Sequence, residues 1–235
     1  MQTNAPIGII CAMTLEAEGF LARMTEVTTE TVGSVTFSSG ILSGVPCVLA
    51  VCGIGKVFAA LCAQTMILRY QPRLIINSGV AGGLSPSLRI GDIAVADRLV
   101  QHDMDTSPLG DPVGMISGIN MVYLPCDTEA SARLADCAAS LEGVTCCRGT
   151  IASGDRFMSD SGEKQAIIDR FDAIACEMEG AAIGQVCYVN AVPCAVMRAI
   201  SDGGDDAAAI DYPTFANMAA ARAVEAITRF LQRLS

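Results

Sequence analysis

The sequence predicts an α/β protein built on a mixed, largely parallel β-sheet that helices cover on both faces. Short apolar runs alternate along the chain with longer amphipathic segments, as expected when crossover helices connect buried strands. Hydrophobic residues make up 51% of the 235 residues and charged residues 17%. This composition excludes a disordered chain and suits a protein with a large buried core.

Seven apolar runs are predicted as strands: Ile7–Ala12, Pro46–Cys52, Leu74–Ser78, Asp92–Val100, Cys146–Ser153, Ala173–Glu177 and Val192–Ser201. Six segments between and after them are predicted as helices: Leu15–Met24, Lys56–Tyr70, Thr128–Leu141, Gly162–Phe171, Met178–Val189 and Tyr212–Leu234. Thr106–Pro125, which is rich in proline and glycine, is predicted as a long loop. Without repeats or a low-complexity linker, residues 1–235 are expected to form a single domain.

Charge and cysteine content narrow the class of function. The formal net charge of −10 argues against binding to nucleic acid or to an anionic membrane. The eleven cysteines lie mostly in apolar runs, and with a single histidine they give little support to a zinc site. We therefore expect buried free thiols in a reducing compartment, with no metal and no cofactor.

The sequence offers no membrane anchor or leader. The longest apolar runs are shorter than the ~18 residues that a spanning helix needs. The segment Met1–Met13 lacks a basic region and is too short for a secretion signal. A soluble, cytoplasmic protein is expected.

Charged groups stand at the ends of two apolar segments near the C-terminus. Glu177 and Glu179 follow one run and open a predicted helix, and a second run ends in Arg198, Ser201 and Asp202. In an open α/β sheet, ligands bind in the crevice at the ends of strands. This pattern predicts a site for a polyhydroxylated small molecule.

Two turns after predicted strands carry a second set of candidates. In Ala12–Glu18, Glu16 suits a catalytic carboxylate, whereas Glu18 could simply favour the first helical turn. Gly53–Lys56 could bring its backbone close to a ligand or form a tight strand-to-helix turn. It lacks the spacing of a nucleotide-binding P-loop.

Further polar or glycine-rich segments follow other strands. The glycines of Asn77–Leu84 could wrap a ligand or form a turn. Phe157 and Met158 could flank a flat heterocycle or belong to the core. His102–Asp105 could relay protons or hold a metal, but a hydrogen-bonded structural role is favoured.

Seven segments in one order resemble the purine nucleoside phosphorylase/uridine phosphorylase superfamily, and most of all its 5′-methylthioadenosine/S-adenosylhomocysteine nucleosidases. They are I-G-I-I-C-A-M-x-x-E, G-I-G-K, N-S-G-V-A-G-G-L, G-D-I-x-V-x-D with H-D-M-D, S-G-D-R-F-M, E-M-E-G-A-A-I and V-x-R-A-I-S-D. The resemblance extends from Ile7 to the final helix. It implies a three-layer αβα fold of the nucleoside phosphorylase type, a homodimer, and cleavage of the N-glycosidic bond to adenine.

The resemblance also implies roles for individual residues. Asp202 would be the general acid that protonates N7 of adenine, with its carboxyl group oriented by Ser201. Glu16 would hold and activate the attacking water, with Arg198 nearby. The substrate-binding residues it implies are Glu179 and the Met178 backbone at the ribose, Phe157 and Met158 at the adenine, Ala81 and Gly82 of the glycine-rich segment, Met13, Ile54 and Tyr212 around the ribose and the 5′-substituent, and Leu109 of a partner subunit.

Three positions depart from the family pattern. Val80 stands where these nucleosidases usually carry serine or threonine, Tyr212 replaces a frequent phenylalanine, and the loop after Leu109 lacks an aromatic residue that often covers the 5′ group. The identity of the substrate's 5′-substituent is therefore not fixed by the sequence, and a larger or more polar group is an alternative. Two other functions remain as alternatives: a phosphate-dependent phosphorylase and a nucleoside-binding relative without catalysis.

Overall fold

The computed structural model describes residues 5–234, so the first four residues of the Met1–Met13 segment lie outside it. Within that range it contains ten strands: β1 Ile7–Cys11, β2 Thr25–Val32, β3 Val35–Leu42, β4 Val45–Val51, β5 Leu74–Gly83, β6 Ile93–Gln101, β7 Leu124–Pro125, β8 Cys146–Ser153, β9 Ala173–Glu177 and β10 Cys194–Asp202. The helices are α1 Thr14–Leu21, α2 Lys56–Tyr70, α3 Thr128–Ala139, α4 Ser161–Phe171, α5 Gly180–Val189 and α6 Ala208–Gln232.

The strands form one mixed sheet in the order β10-β6-β8-β9-β5-β1-β4-β3-β2, with β7 beside β6. β10 also pairs with β5, so β5, β9, β8, β6 and β10 close into a ring. β1 lies parallel to both β4 and β5, and all its residues are buried. Strands that are covered on both faces read as continuous apolar runs, and this is why the central strands were recognisable from sequence.

Helices cover the sheet on both sides, which confirms the predicted three-layer αβα arrangement. One apolar core lies between the sheet and α1, α3 and α6, with Phe20, Leu134 and Ile227 among its members. A second lies between the sheet, α2 and α5, with Met66 and Ile183 among its members. Within residues 5–234, no helix combines the length and the apolar character that crossing a membrane requires.

The sequence-based prediction missed the hairpin of β2 and β3. β2 has the sequence T-E-V-T-T-E-T-V, and nearly all of it is exposed at the edge of the sheet. A polar edge strand has no apolar run to reveal it, although threonine and valine favour extended structure. Gly33, with φ of 62°, begins the short connection to β3.

The glycines of Asn77–Leu84 do not form the turn that was one of the two interpretations offered for them, because β5 continues to Gly83. Every residue of β5 is buried. At Gly79 an added Cβ would lie 2.1 Å from Arg198 Nη1 and 2.6 Å from Glu16 Oε1. Glycine is therefore needed here because two charged side chains approach the strand, not because the chain turns.

Several helix boundaries also differ from the prediction. α5 begins at Gly180, with Glu179 as its N-cap rather than in its first turn. α6 begins at Ala208, ahead of the predicted start at Tyr212. The predicted loop Thr106–Pro125 contains only a short 3₁₀ helix at Ser107–Leu109, an isolated bridge and β7.

Candidate active site

A cavity opens where the C-terminal ends of β5, β9 and β10 meet. Gly82 of β5 pairs with Cys176 of β9 and with Asp202 of β10, so the ends of these strands converge. The cavity contains about 590 Å³ of empty space, including the solvent at its open mouth. This position at strand ends agrees with the crevice expected from sequence.

Most of the predicted site residues line this one cavity. They are Met13, Glu16, Ile54, Ala81, Gly82, Phe157, Met158, Met178, Glu179, Ser201, Asp202 and Tyr212. Arg198 does not line it but is fully buried behind the carboxylates. Leu109 is 84% exposed and lies outside the cavity of its own chain, so its predicted contact with a partner's site stays a prediction.

The carboxyl group of Asp202 is held at two points at the end of β10. The Ser201 hydroxyl donates to Oδ2 at 2.8 Å, and the Gly204 N–H donates to Oδ1 at 2.8 Å. Burial raises the pKa of Asp202, although these two hydrogen bonds act in the opposite direction. A buried carboxyl group with a raised pKa keeps its proton more readily and can act as an acid.

Glu16 lies at the start of α1, on another wall of the cavity. Its Oε2 accepts from the N–H groups of Ala12 and Met13 at 2.9 and 3.0 Å, and its Oε1 accepts from Val80 N–H at 2.9 Å. Burial raises the pKa of Glu16, while Arg198 and the three N–H groups favour its charged form. The local sequence places this carboxylate because its helix begins directly after a buried strand.

Glu179 lies between the turn before α2 and the start of α5. Its Oε1 accepts from Gly55 N–H at 2.8 Å, and Arg198 Nη2 lies 3.4 Å from its Oε2. Burial raises the pKa of Glu179 to about 7, with Glu177 adding to the effect and Arg198 opposing it. The Gly55 N–H leaves other lone pairs of this carboxylate free to accept hydroxyl groups.

Glu177 has a role that the sequence analysis did not assign, although the residue was noted. Its Oε2 forms an ion pair with Arg198 and accepts from the N–H groups of Glu179 and Gly180 at 2.9 and 2.7 Å. Its Oε1 is bonded to the Ser153 hydroxyl. Glu177 thereby fixes the start of α5 and balances a buried guanidinium group. Its position next to a second acid was the only signal in the sequence.

Aromatic and sulfur-containing side chains form the mouth of the cavity. The rings of Phe157 and Tyr212 meet edge to face, with centroids 5.6 Å apart. The Tyr212 hydroxyl lies 3.0 Å from Met13 Sδ. Phe157 is 43% exposed and therefore free to contact a ligand, whereas Met158 is buried. This arrangement suits a flat heterocycle at one end and a mainly apolar substituent at the other.

The raised pKa of Glu179 predicts a pH-dependent stability. Because its folded-state pKa of about 7 exceeds its ordinary value of 4.5, protonation favours the folded state. That contribution is complete below the ordinary value and is lost as the pH rises through 7. Between pH 5 and 8 we expect wild type to lose on the order of 1–3 kcal/mol of unfolding free energy that Glu179→Gln retains. Urea unfolding of both proteins at the two pH values measures this, and equal losses would contradict it.

Comparison with known proteins places this chain in a family. The family model described as "Phosphorylase superfamily" matches residues 6–232. The 5′-methylthioadenosine/S-adenosylhomocysteine nucleosidase of Shewanella sp. (strain W3-18-1) is 36% identical over 214 residues, covering 89% of this chain and 90% of that protein.

Two solved structures are similar over almost the whole chain. The 5′-methylthioadenosine/S-adenosylhomocysteine nucleosidase of Neisseria meningitidis, in complex with methylthio-immucillin-A, superposes with a TM-score of 0.94 at 31% identity, covering 97% of this chain and 99% of that one. The futalosine hydrolase of Helicobacter pylori gives a TM-score of 0.93 at 31% identity, covering 99% and 100%. The chain therefore belongs to the phosphorylase superfamily and, within it, to the N-ribosyl hydrolases of the 5′-methylthioadenosine/S-adenosylhomocysteine nucleosidase type.

Proposed function

We propose that this protein hydrolyses the N-glycosidic bond of 5′-substituted adenine nucleosides and releases adenine, with 5′-methylthioadenosine and S-adenosylhomocysteine as substrates. One observation carries the proposal: Asp202, Glu16 and Glu179 line different parts of a single cavity. Glycosidic hydrolysis needs an acid at the leaving group and a second carboxylate that positions water, because its transition state resembles an oxocarbenium ion. The third carboxylate suits the ribose hydroxyls.

Asp202 is assigned as the general acid that protonates N7 of the departing adenine. Burial raises its pKa and so preserves the proton that it must deliver. The Ser201 hydroxyl, at 2.8 Å from Oδ2, orients the carboxyl group toward the base.

Glu16 is assigned to the attacking water. A carboxylate offers about four lone-pair positions, and backbone N–H groups occupy one on Oε1 and two on Oε2. One acceptor position on Oε1 therefore remains for water. Arg198 approaches the same face of Gly79 as Glu16 and favours the charged, proton-accepting form of this carboxylate.

The remaining contacts follow the walls of the cavity. Glu179 accepts hydrogen bonds from the ribose hydroxyls, with help from the Met178 backbone. Phe157 stacks on the purine, and Met158 offers its backbone to the adenine edge. The other wall residues, Ala81, Gly82, Met13, Ile54 and Tyr212, enclose the ribose and the 5′-substituent.

Hydrolysis is preferred over phosphorolysis because the groups that could hold phosphate are already engaged. The N–H groups of Ala12, Met13 and Val80 donate to Glu16. Lys56 is paired with Asp103 at 2.6 Å, and Arg198 is paired with Glu177. A phosphate site needs free cations or several free N–H donors.

The proposal includes a homodimer in the cytoplasm. All eleven cysteines are free, as suits a reducing compartment. α2 exposes a row of large apolar side chains: Val57, Phe58, Leu61 and Leu68. Large exposed apolar side chains on one helix favour association, and a second copy of the chain would also bring Leu109 to the partner's cavity.

Replacement of Leu61 by arginine is expected to weaken the dimer by at least ~10-fold in dissociation constant, because a charge would be buried in the proposed interface. Leu61 is 60% exposed on α2. Ile210→Arg is the matched control, since Ile210 is 73% exposed on α6. Sedimentation equilibrium measures both variants. A dimer unchanged by Leu61→Arg would contradict the assignment of this face.

The proposed reaction is tested by measuring adenine release from 5′-methylthioadenosine in phosphate-free buffer and again with added phosphate. S-adenosylhomocysteine and 6-amino-6-deoxyfutalosine complete the substrate panel and compare 5′-substituents. Equal release with and without phosphate supports hydrolysis. Release that requires phosphate would overturn the role of Glu16, and no release from any of the three would overturn the proposed reaction.

A further inference from the structure

We propose that Asp103 is a positioning residue for substrate binding, because through Lys56 and Asp155 it fixes the turn that holds Glu179 and the loop that carries Phe157. Asp103 belongs to the His102–Asp105 segment, which the proposed mechanism does not use. The inference rests on the proposed function, since it assigns Glu179 and Phe157 to the substrate.

Asp103, Lys56 and Asp155 form a closed ring of hydrogen bonds, here called the Asp103 clamp. Lys56 Nζ donates to Asp103 Oδ1 at 2.6 Å. Asp155 N–H donates to Asp103 Oδ2 at 2.9 Å. Lys56 N–H donates to Asp155 Oδ1 at 2.7 Å. Each residue in the ring is thus bonded to the other two, which ties the end of β6 to two loops that border the cavity.

The first of these loops is the turn before α2. Gly55, next to Lys56, donates its N–H to Glu179 Oε1 at 2.8 Å. Gly55 has φ of 98°, and a Cβ at this position would lie 3.0 Å from Asp155 Oδ1. The clamp therefore lies against a glycine with a positive φ, which other residues rarely adopt. The same glycine supplies the N–H that holds Glu179, the carboxylate assigned to the ribose.

The second loop is the segment after β8. Asp155 lies two positions before Phe157, which contacts Tyr212 at the mouth of the cavity. The preceding Gly154 packs against His102, since a Cβ at Gly154 would lie 2.3 Å from His102 Nε2. His102 and Asp103, which follow β6, thus contact Gly154 and Asp155, which follow β8.

The clamp is more shielded than an ordinary surface ion pair. The side chains of Lys56 and Asp103 are 18% and 32% exposed, and Lys56 Nζ also donates to Gln101 Oε1 at 3.2 Å. Burial alone would raise the pKa of Asp103, but its bonds to Lys56 and Asp155 lower it. Neither Asp103 nor Lys56 lines the cavity, so the clamp acts on the substrate only through the loops it holds.

The test is steady-state kinetics of adenine release from 5′-methylthioadenosine by Asp103→Asn, Lys56→Met and the double variant. We expect KM to rise ~10-fold in each single variant while kcat changes less than ~3-fold, because charge-assisted hydrogen bonds that position binding groups are lost. The acid Asp202 and the carboxylate Glu16 are held by other contacts. The KM of the double variant should not exceed the higher KM of the two single variants, because both substitutions open the same ring of hydrogen bonds.

Glu30→Gln is the matched control. Glu30 pairs with Arg69 at the opposite end of α2 and is exposed, so its loss should leave KM unchanged. Lys56→Arg retains the positive charge and should keep KM near the wild-type value. If Lys56→Met raised KM only by lowering overall stability, retaining the charge would not be expected to restore KM. Melting temperatures of all variants are measured in parallel, and Lys56→Met carries the test if Asp103→Asn does not fold.

The outcomes separate this inference from the proposed function. If wild type releases adenine but Asp103→Asn and Lys56→Met have the KM of Glu30→Gln, the clamp does not position the substrate. Strictly additive effects in the double variant would also overturn it. If wild type releases no adenine from any nucleoside of the panel, the proposed function itself fails.

Discussion

Replacement of Asp202 by asparagine is expected to reduce adenine release by about 10²–10⁴-fold while leaving nucleoside binding nearly intact. Asparagine has nearly the same shape, its oxygen can accept from the Gly204 N–H, and its NH₂ can donate to the Ser201 hydroxyl, but it has no acidic proton for the base. Isothermal titration with adenosine measures binding, and single-turnover adenine release measures the chemical step. The wild-type rate should fall as the pH rises through the raised pKa of Asp202, because the acid then loses its proton.

Asp206→Asn provides the control for this prediction. Asp206 lies on the loop that follows Asp202, is exposed, and accepts from the Ser161 hydroxyl rather than lining the cavity. Its replacement should leave both rate and binding near wild type. An Asp202→Asn protein with near-normal turnover would remove Asp202 from the role of general acid, whatever its position in the cavity.

Replacement of Glu16 by glutamine is expected to lower kcat by about 10²–10⁴-fold, since the water then lacks its proton acceptor. The amide also fits poorly, because both oxygens of Glu16 accept backbone N–H groups and one would be replaced by an NH₂ donor. Binding of adenosine should weaken much less than turnover. Burst and steady-state measurements of adenine release separate the two effects.

Glu18→Gln is the matched control for Glu16→Gln. Both residues lie on α1, but Glu18 is exposed and does not line the cavity. A loss of activity shared by the two variants would indicate damage to the helix rather than loss of the water-holding group. Unchanged kcat in Glu16→Gln alone would show that water is activated by another residue.

The strands that were predicted best from the sequence are the buried ones, because burial requires a continuous run of apolar residues. β1 and β9 are short apolar runs, and their predicted bounds agree with the structure to within one residue. The catalytic candidates were visible for a related reason. A charged residue directly after a buried run, such as Asp202 after Ile200, stands out because packing alone seldom explains it.

Features that depend on contacts between residues far apart in the sequence could not be predicted in this way. β2 is polar and exposed, so its pairing with β3 leaves no apolar pattern. β5 continues through its glycines because β10 and β9 pair with it there, and Gly79 leaves room for Arg198 and Glu16, which come from other elements. The ion pair of Glu177 with Arg198 joins residues of two strands, and a sequence pattern cannot show which charges meet across such a separation.

The position of β5 between β1, β9 and β10 has a further consequence for how this protein can diversify. The groups assigned to bond cleavage are attached to these interlocked strands or held by their backbone, where a shift in one strand would disturb its neighbours. Ile54, Phe157 and Tyr212 instead stand on the rim and are at least partly exposed. Under the proposed function, substitution at the rim is expected to alter which nucleoside is accepted while the reaction stays the same. The choice of substrate and the cleavage of its bond would then be encoded in separate parts of the chain and could evolve independently.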